Sequence, residues 1–199
     1  MTTTRFFVYG SLSEGMVHFS KIKNLIESST PAQIRATAYR LKVGFPVLID
    51  SELDLVPGRL VDIRSTDLLI SLLDEFFGVN AIDPQGGLYH RKEVSASTAE
   101  GESSTAWVYF LNPQKLSSDA TMIVGGDWIK SLAEEPAITE KLSDRQKQYI
   151  SKLGATSGRE IVPIDLQLYR ELMKLELIVD KGRRLALSKF GHEVYRHLA

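Results

Sequence analysis

Apolar residues cluster in short runs along the first 130 positions, and most of these runs have the spacing of β-strands. Phe6, Phe7, Val8 and Tyr9 form an aromatic and β-branched run that stops at Gly10. This pattern predicts a buried strand that leads into a tight loop. Further strands are predicted over residues 34–43, 45–49, 59–63, 88–96 and 105–111.

Two stretches between these strands repeat their apolar residues at helical spacing. The first runs from Glu14 to about Ile26, and the second runs from Thr66 to Phe77. Leucines 68, 69, 72 and 73 with Phe76 are predicted to form the apolar stripe of the second helix. Strand and helix do not alternate regularly, which argues against a doubly wound fold. We therefore expect an α+β fold in which a mixed sheet curls on itself like a barrel, with flanking helices.

The last 57 residues have a different pattern. Ser143, with Gln146 three positions later, predicts a capped helix that extends to Leu153. A second helix over 164–175, a hairpin formed by 177–179 and 185–187, and a last helix from Ser188 follow. This order is typical of a small winged-helix module. We therefore predict two domains, residues 1–135 and residues 143–199, joined by a link at 136–142.

Charge separates the same two parts of the chain. Residues 143–199 hold 11 Lys and Arg against 7 Asp and Glu, whereas residues 1–142 hold 13 against 18. The chain has no cysteine, which excludes disulfides and thiolate chemistry. The apolar run near the amino terminus has only four residues, too few for a signal peptide or a membrane span. A cytoplasmic protein without a membrane partner is expected.

Five short motifs occur in a fixed order along the first part. They are Val8–Leu12 (VYGSL), Val56–Leu60 (VPGRL), Leu73–Gly78 (LDEFFG), Tyr89–Arg91 (YHR) and Gly126–Trp128 (GDW). Together with the strand at 106–111, they resemble the gamma-glutamylcyclotransferase-like superfamily, particularly its gamma-glutamylamine branch. The resemblance covers residues 5 to about 130 and does not include the C-terminal module.

The resemblance implies a reaction that releases 5-oxoproline from gamma-glutamyl compounds. The α-amine of the substrate attacks its own γ-carbonyl, so a carboxylate must take a proton from the ammonium and return one to the leaving group. The resemblance also implies that Tyr9, Gly10, Ser11 and Leu12 form a backbone cradle for an anionic group and that Tyr89 lines the pocket. Two simpler readings stay open: Gly10 only permits a tight corner, and Tyr89 only packs beside the sheet.

The sequence departs from this family at the catalytic position. The glutamate of the leucine-aspartate-x-x-glutamate-glycine motif corresponds to Phe77, which cannot transfer a proton. Glu75 lies about 200° away around the helix axis, so it cannot replace that glutamate. Glu14 and Glu93 are alternative bases that spacing does not support. We expect a protein that binds a small gamma-glutamyl or carboxylate-bearing ligand with impaired or lost activity; the alternative is an active cyclotransferase that uses another carboxylate.

The partners of the C-terminal module stay open. Nucleic-acid binding is one alternative. In that case the helix around 165–174 would be the recognition helix, and Lys181, Arg183 and Arg184 on the wing would contact phosphates. Asp165 and Glu171 on that helix argue against it. The modest charge favours a cap that docks on the acidic first domain or forms a homodimer. No cofactor is expected, and His192 and His197 lack the spacing of a helical metal pair, so no metal is expected either.

Overall fold

A computed structural model describes residues 2–65, 67–156 and 160–198 of the chain. These residues fall into two compact units, Met1–Glu134 and Glu135–Ala199. Of the residues in these ranges, none belongs to a helix long and apolar enough to cross a bilayer.

The first unit is a closed, five-stranded, mixed sheet with flanking helices, which confirms the predicted α+β fold and the curled sheet. Its strands are β1 (Thr2–Val8), β2 (Ile26–Arg40), β3 (Pro46–Ser65), β4 (Tyr89–Thr98) and β5 (Ser103–Leu111), and a short β6 (Thr121–Met122) extends it beside β2. The strand order is β3-β1-β5-β4-β2-β6, and an additional β2–β3 pairing closes the ring. Closure leaves no free edge among these five strands, which removes a route to aggregation.

The two long strands β2 and β3 form most of the wall. They pair antiparallel from Ile26↔Ile63 to Arg40↔Pro46, with register shifts near Ile26 and between Ala36 and Thr37. Strand β1 pairs antiparallel with β3 and parallel with β5, where Phe6 lies opposite Trp107. Because side chains alternate along a strand, Phe6 and Val8 of β1 and Val61 and Ile63 of β3 all point into one buried cluster.

Two predictions about strand boundaries are wrong. The segments 45–49 and 59–63 belong to one strand, β3, because pairing with β2 continues through Pro57 and Gly58. The polar residues 27–31, predicted as the end of a helix, form the first part of β2. Their pairing with β3 satisfies the backbone although the side chains face solvent, so an apolar pattern is not needed there.

The predicted helix from Glu14 to Ile26 is also wrong. The structure has two 3₁₀ turns there, Phe19–Lys21 and Lys23–Leu25. The apolar residues recur every three positions, at 16, 19, 22 and 25, and backbone hydrogen bonds join the same positions three apart. Three residues per turn is the 3₁₀ period, so the spacing fits this geometry better than an α-helix.

Helix α1 (Asp67–Phe77) follows β3. Its buried face differs from the predicted stripe: Leu73 is buried, and Leu69, Ile70 and Phe77 pack on the barrel core. Leu68 and Leu72 instead have 69% and 53% of their surface exposed. The side chain at position 77 therefore faces inward. The short helix α2 (Trp128–Glu134) ends the first unit.

The second unit has its own core of buried leucine, isoleucine and valine side chains, including Ile150, Leu172, Leu177 and Val194. Its elements are α3 (Ile138–Lys141), α4 (Asp144–Ala155), α5 (Leu166–Lys174), β7 (Ile178–Asp180), β8 (Leu185–Leu187) and α6 (Lys189–Arg196). Ser143 and Gln146 form the expected capping box of α4. The assignment of this unit to the winged-helix class stays a prediction.

Candidate functional site

The loop after β1 begins with a 3₁₀ turn, Gly10–Leu12, at the point where the buried strand ends. Gly10 has φ +64°, and a Cβ built on it would lie 2.8 Å from Cγ of Pro46. Any side chain at position 10 would therefore meet both backbone strain and a collision. The turn is held by two backbone hydrogen bonds, from Ser13 N to Gly10 O and from His18 N to Ser11 O.

Tyr9 is held in place by the segment that contains the GDW motif. Its hydroxyl donates a 2.8 Å hydrogen bond to the carbonyl of Gly126. Burial, and then the nearby Asp127 carboxylate, raise the pKa of Tyr9 well above its ordinary value. The phenol is therefore a neutral hydrogen-bond donor at physiological pH. Its bond to Gly126 connects the VYGSL motif to the GDW motif.

Two cavities flank the loop. The tryptophan-side cavity, of about 270 Å³, is lined by Tyr9, Gly10, Ser13, Glu14, Pro57, Gly58, Arg59, Asp127, Trp128 and Ile129. The strand-side cavity, of about 250 Å³, is lined by Val8, Leu12, Glu14, Phe19, Ile22, Lys23, Ile26, Ser29, Arg59 and Val61. Glu14 and Arg59 line both cavities. Arg59 is oriented by hydrogen bonds from Nε to the hydroxyl of Ser29 and from Nη2 to its carbonyl.

Phe77 lies in an aromatic cluster at the end of α1. Its ring stacks on Tyr109 with 4.1 Å between ring centres and 14° between ring planes, and it meets Tyr89 edge-on at 5.2 Å. Phe76 contacts the Phe77 ring from another side at 5.0 Å. The position that the resemblance assigns to the catalytic glutamate thus holds a phenyl ring that contacts two tyrosines.

Asp74 lies three residues before Phe77 on α1, and one of its carboxylate oxygens has two partners. Its Oδ1 accepts a 2.8 Å hydrogen bond from the hydroxyl of Tyr109 and lies 3.4 Å from Nη1 of Arg91. Burial, followed by the hydrogen bond to Asp74, raises the pKa of Tyr109, so the tyrosine stays protonated and continues to donate. The guanidinium of Arg91 also lies over the ring of Trp107. Asp74 therefore joins α1 to β4 and β5.

The structure separates the predicted site residues into two groups. Leu12, Phe77 and Tyr89 belong to one core cluster, whereas Tyr9 and Gly10 line the tryptophan-side cavity. The backbone of Ser11 lies between them in the same turn. Neither of the two cavities above is lined by Phe77 or Tyr89. The role of all these residues in ligand binding stays a prediction.

Of the acids considered as replacements, only Glu14 lies at a cavity. Glu75 and Glu93 are exposed, on α1 and β4 respectively. Sequence reasoning gave no role to Arg59, Asp127 or Tyr109. The signal for the first two was present, because they belong to the VPGRL and GDW motifs; Tyr109 had no such signal. Among the residues in the described ranges, no cluster of three or more potential side-chain ligands fits a metal ion.

Residues 6–130 match the family described as "Gamma-glutamyl cyclotransferase, AIG2-like". The match covers more than half of the chain and includes the end of β1, the loop that follows it and the whole of β2 to β5. The chain therefore belongs to this family. No functionally curated protein matches the chain.

Several solved structures are similar to this chain at low sequence identity, and one of them, YkqA, shares the fold. YkqA from Bacillus subtilis is 21% identical, with a TM-score of 0.50, over 71% of this chain and 44% of its own. An AIG2-like protein from Mus musculus is 16% identical, with a TM-score of 0.48, over 60% of this chain and 82% of its own. A protein from Arabidopsis thaliana is 20% identical, with a TM-score of 0.49, over 71% of this chain and 89% of its own. The chain thus spans less than half the length of YkqA.

Proposed function

We propose that this protein binds a small gamma-glutamyl or other carboxylate-bearing ligand and that its cyclotransferase activity is impaired or lost. The observation that carries the proposal is the stacking of Phe77 on Tyr109 at the position where the family motif has its glutamate. Ring closure to 5-oxoproline needs a group that removes a proton from the ammonium of the substrate. Loss of such a base typically lowers the rate by about 10²–10⁴.

The neighbourhood of Phe77 supports the loss of activity. Asp74 is one turn before it on α1, but its carboxylate is held by Tyr109 and Arg91. A carboxylate held by a tyrosine hydroxyl and a guanidinium is not free to approach a substrate. Moving it toward a substrate would also break the link between α1, β4 and β5.

The strand-side cavity supports the ligand class. Its charged residues are one acid, Glu14, and two bases, Lys23 and Arg59, and most of its other lining residues are apolar. A cation pair suits a carboxylate, a single acid suits an ammonium, and apolar walls suit an aliphatic chain. A gamma-glutamyl compound or a free amino acid carries these three features. Its volume of about 250 Å³ suits a small molecule.

The proposal is tested with purified full-length protein and two compounds, gamma-glutamyl-lysine and gamma-glutamyl-alanine. Calorimetry measures binding, and chromatography measures 5-oxoproline. We expect binding of at least one compound with little or no 5-oxoproline. Lys23→Met should weaken this binding about tenfold because it removes a charge-assisted contact. Lys115→Met, an exposed change outside both cavities, should leave binding unchanged. Robust turnover would disprove the loss of activity, and no binding of either compound would disprove the ligand class.

A second candidate function is an active cyclotransferase that uses Glu14 as its base. The observation in its favour is that Glu14 lines both cavities beside the Gly10 turn. If 5-oxoproline is released, Glu14→Gln should then lower the rate by about 10²–10⁴. The matched variant Glu93→Gln, on an exposed strand position, should keep the full rate. An equal effect of the two variants would rule out Glu14 as the base.

A further inference from the structure

The two carboxylates of helix α5, Asp165 at its start and Glu171 within it, form hydrogen bonds inside the second unit. Asp165 caps the helix by accepting hydrogen bonds from the backbone N–H groups of Gln167 and Leu168, and it also pairs with Arg145. Glu171 accepts hydrogen bonds from the side-chain amides of Gln146 and Gln167, each at 3.0 Å. The charge of Asp165 is balanced by Arg145, whereas Glu171 is bound by two neutral amides and keeps its negative charge. The charge objection to nucleic-acid binding therefore holds for Glu171 but not for Asp165.

The outer face of α5 has the character of a groove-reading helix. Leu168 and Leu172 are buried in the unit's core, and the opposite side exposes Leu166, Arg170, Met173 and Lys174. These four positions are spaced at i, i+4, i+7 and i+8, so they share one face of the helix. Cations there meet phosphates, and an exposed apolar side chain such as Leu166 suits the methyl group of thymine.

The hairpin after α5 has a basic tip. Strands β7 and β8 pair from Ile178↔Leu187 to Asp180↔Leu185, and the four-residue loop between them contains Lys181, Arg183 and Arg184, all exposed. The carboxylate of Asp180 accepts a 2.7 Å hydrogen bond from Gly182 N, so it serves the turn itself. Gly182 has φ +80°, which lets the loop turn tightly and extend its three cations.

We propose that the unit Glu135–Ala199 is a winged-helix module that binds duplex DNA, with α5 in the major groove and the β7–β8 hairpin on the adjacent backbone. The cations of α5 and of the hairpin flank the single turn from Leu175 to Leu177. The cations therefore lie on a helix and on the hairpin that directly follows it in the chain. The recognition helix and the wing of a winged-helix module have the same order. B-form DNA is the partner that fits, because the major groove of A-form RNA is too deep and narrow for a helix. This proposal does not depend on the proposed function of the barrel.

The test measures anisotropy of a labelled 20-base-pair DNA duplex of random sequence with the full-length chain at increasing salt. We expect binding at low salt that weakens as log K falls linearly with log salt. Arg183→Ala with Arg184→Ala should reduce the slope by about 2, because each lost phosphate contact contributes about 0.9. The matched control, Lys115→Ala with Lys152→Ala, removes two exposed cations elsewhere and should keep the original slope.

Three results would overturn the proposal. They are no binding to the duplex at low salt, equal losses in the wing variant and the control variant, and tighter binding of a duplex RNA of the same length than of DNA. All variants change exposed side chains, so unchanged circular dichroism is expected and would show that a loss of binding is not a loss of fold.

Discussion

At the scale of single residues, the proposed loss of activity depends on position 77. Phe77 faces inward, against Tyr109 and Tyr89, so the helix still directs this position toward the core. The phenyl ring itself has no group that can transfer a proton. Its stacking contributes to stability, since aromatic pairs add about 0.5–1.5 kcal/mol beyond the burial of area.

Restoring the carboxylate should restore activity. Phe77 lines neither of the two cavities, so a carboxylate at this position reaches a bound substrate only by turning out of the aromatic cluster. Where it does so, we expect Phe77→Glu to raise 5-oxoproline release from gamma-glutamyl-lysine about 10²-fold above the parent protein, because a base returns to the position of the glutamate in the family motif. Phe77→Gln has nearly the same shape and no titratable group, so it should stay at the parent level. Both variants should lower the melting temperature, because a polar group enters an aromatic cluster. Equal rates for the two variants would show that proton transfer is not what the protein lacks.

Gly10 offers a second test at this scale. Gly10→Ala should destabilise the barrel by about 2–4 kcal/mol, from a positive φ and from the collision of Cβ with Pro46. Gly15→Ala is the matched control: its φ is +80°, but nothing lies within 4 Å of the added Cβ, so about 1 kcal/mol is expected. Trp107 and Trp128, the only two tryptophans of the chain, both lie in the first unit, so tryptophan fluorescence during urea unfolding measures this unit. Equal losses for both variants would contradict the close approach to Pro46.

At the scale of elements, local signals predicted some boundaries well and others poorly. The capping box at Ser143 and the hairpin that joins β7 and β8 depend on neighbours within a few residues, and both form as expected. The segment from Glu14 to Ile26 was misjudged because a spacing of three residues was taken as α-helical. On an α-helix each three-residue step falls about 60° short of a full turn, so Met16 and Leu25 would lie on opposite faces, whereas a 3₁₀ geometry keeps them on one face. The inner face of α1 was misjudged because leucines occur all around the helix, and only the barrel selects which of them are buried.

The cap of α4 gives a measurable expectation. Ser143→Ala removes the hydroxyl that accepts the N–H of Gln146, and we expect a loss of about 1 kcal/mol in the stability of this helix. Ser151→Ala changes a serine in the interior of the same helix, where alanine is a better helix former, so no loss is expected. Hydrogen–deuterium exchange of the α4 amides measures both effects. Faster exchange in Ser151→Ala than in Ser143→Ala would contradict the role of the cap.

At the scale of the whole molecule, the chain contains two units with separate hydrophobic cores. The barrel adds polar links across its outer wall. Arg5 on β1 donates two hydrogen bonds to Asp62 on β3, at 2.7 and 3.0 Å, and the hydroxyl of Ser28 on β2 donates a third at 2.7 Å. One carboxylate thus joins three strands of the closed sheet.

This link should make the barrel sensitive to acid. The hydrogen bond from Arg5 is the main reason that the pKa of Asp62 is lowered in the folded state. The stabilisation is therefore complete above the ordinary aspartate pKa of about 3.9 and is lost as the pH falls below it. Asp62→Asn should cost roughly 1 kcal/mol or less at pH 7 and reduce the loss of stability between about pH 5 and 2. Thermal unfolding followed by tryptophan fluorescence measures this, with Asp54→Asn on the same strand as the control. A larger loss of stability on acidification in Asp62→Asn than in the parent protein would contradict the lowered pKa of Asp62.

The amino-acid sequence by itself determined the family, the α+β class and the presence of a phenylalanine at position 77 of the LDEFFG motif. These properties reside in short motifs, and a side chain without a titratable group has the same chemistry in any fold. Most elements of the second unit were also predictable, because caps, turns and hairpins depend on residues close in the chain. The exception is α3 (Ile138–Lys141), which lies in the segment predicted as a link.

Only the tertiary structure decided which distant residues meet. The β2–β3 pairing closes the barrel and continues through Pro57 and Gly58, which local rules read as a break. Tyr109 was found beside Phe77 and Asp74, although it lies more than 30 residues away along the chain. Asp165 caps α5, and Glu171 accepts a hydrogen bond from the amide of Gln146. A count of charges in the sequence does not reveal these contacts. Such contacts form between residues far apart in sequence, and no local pattern encodes the partner.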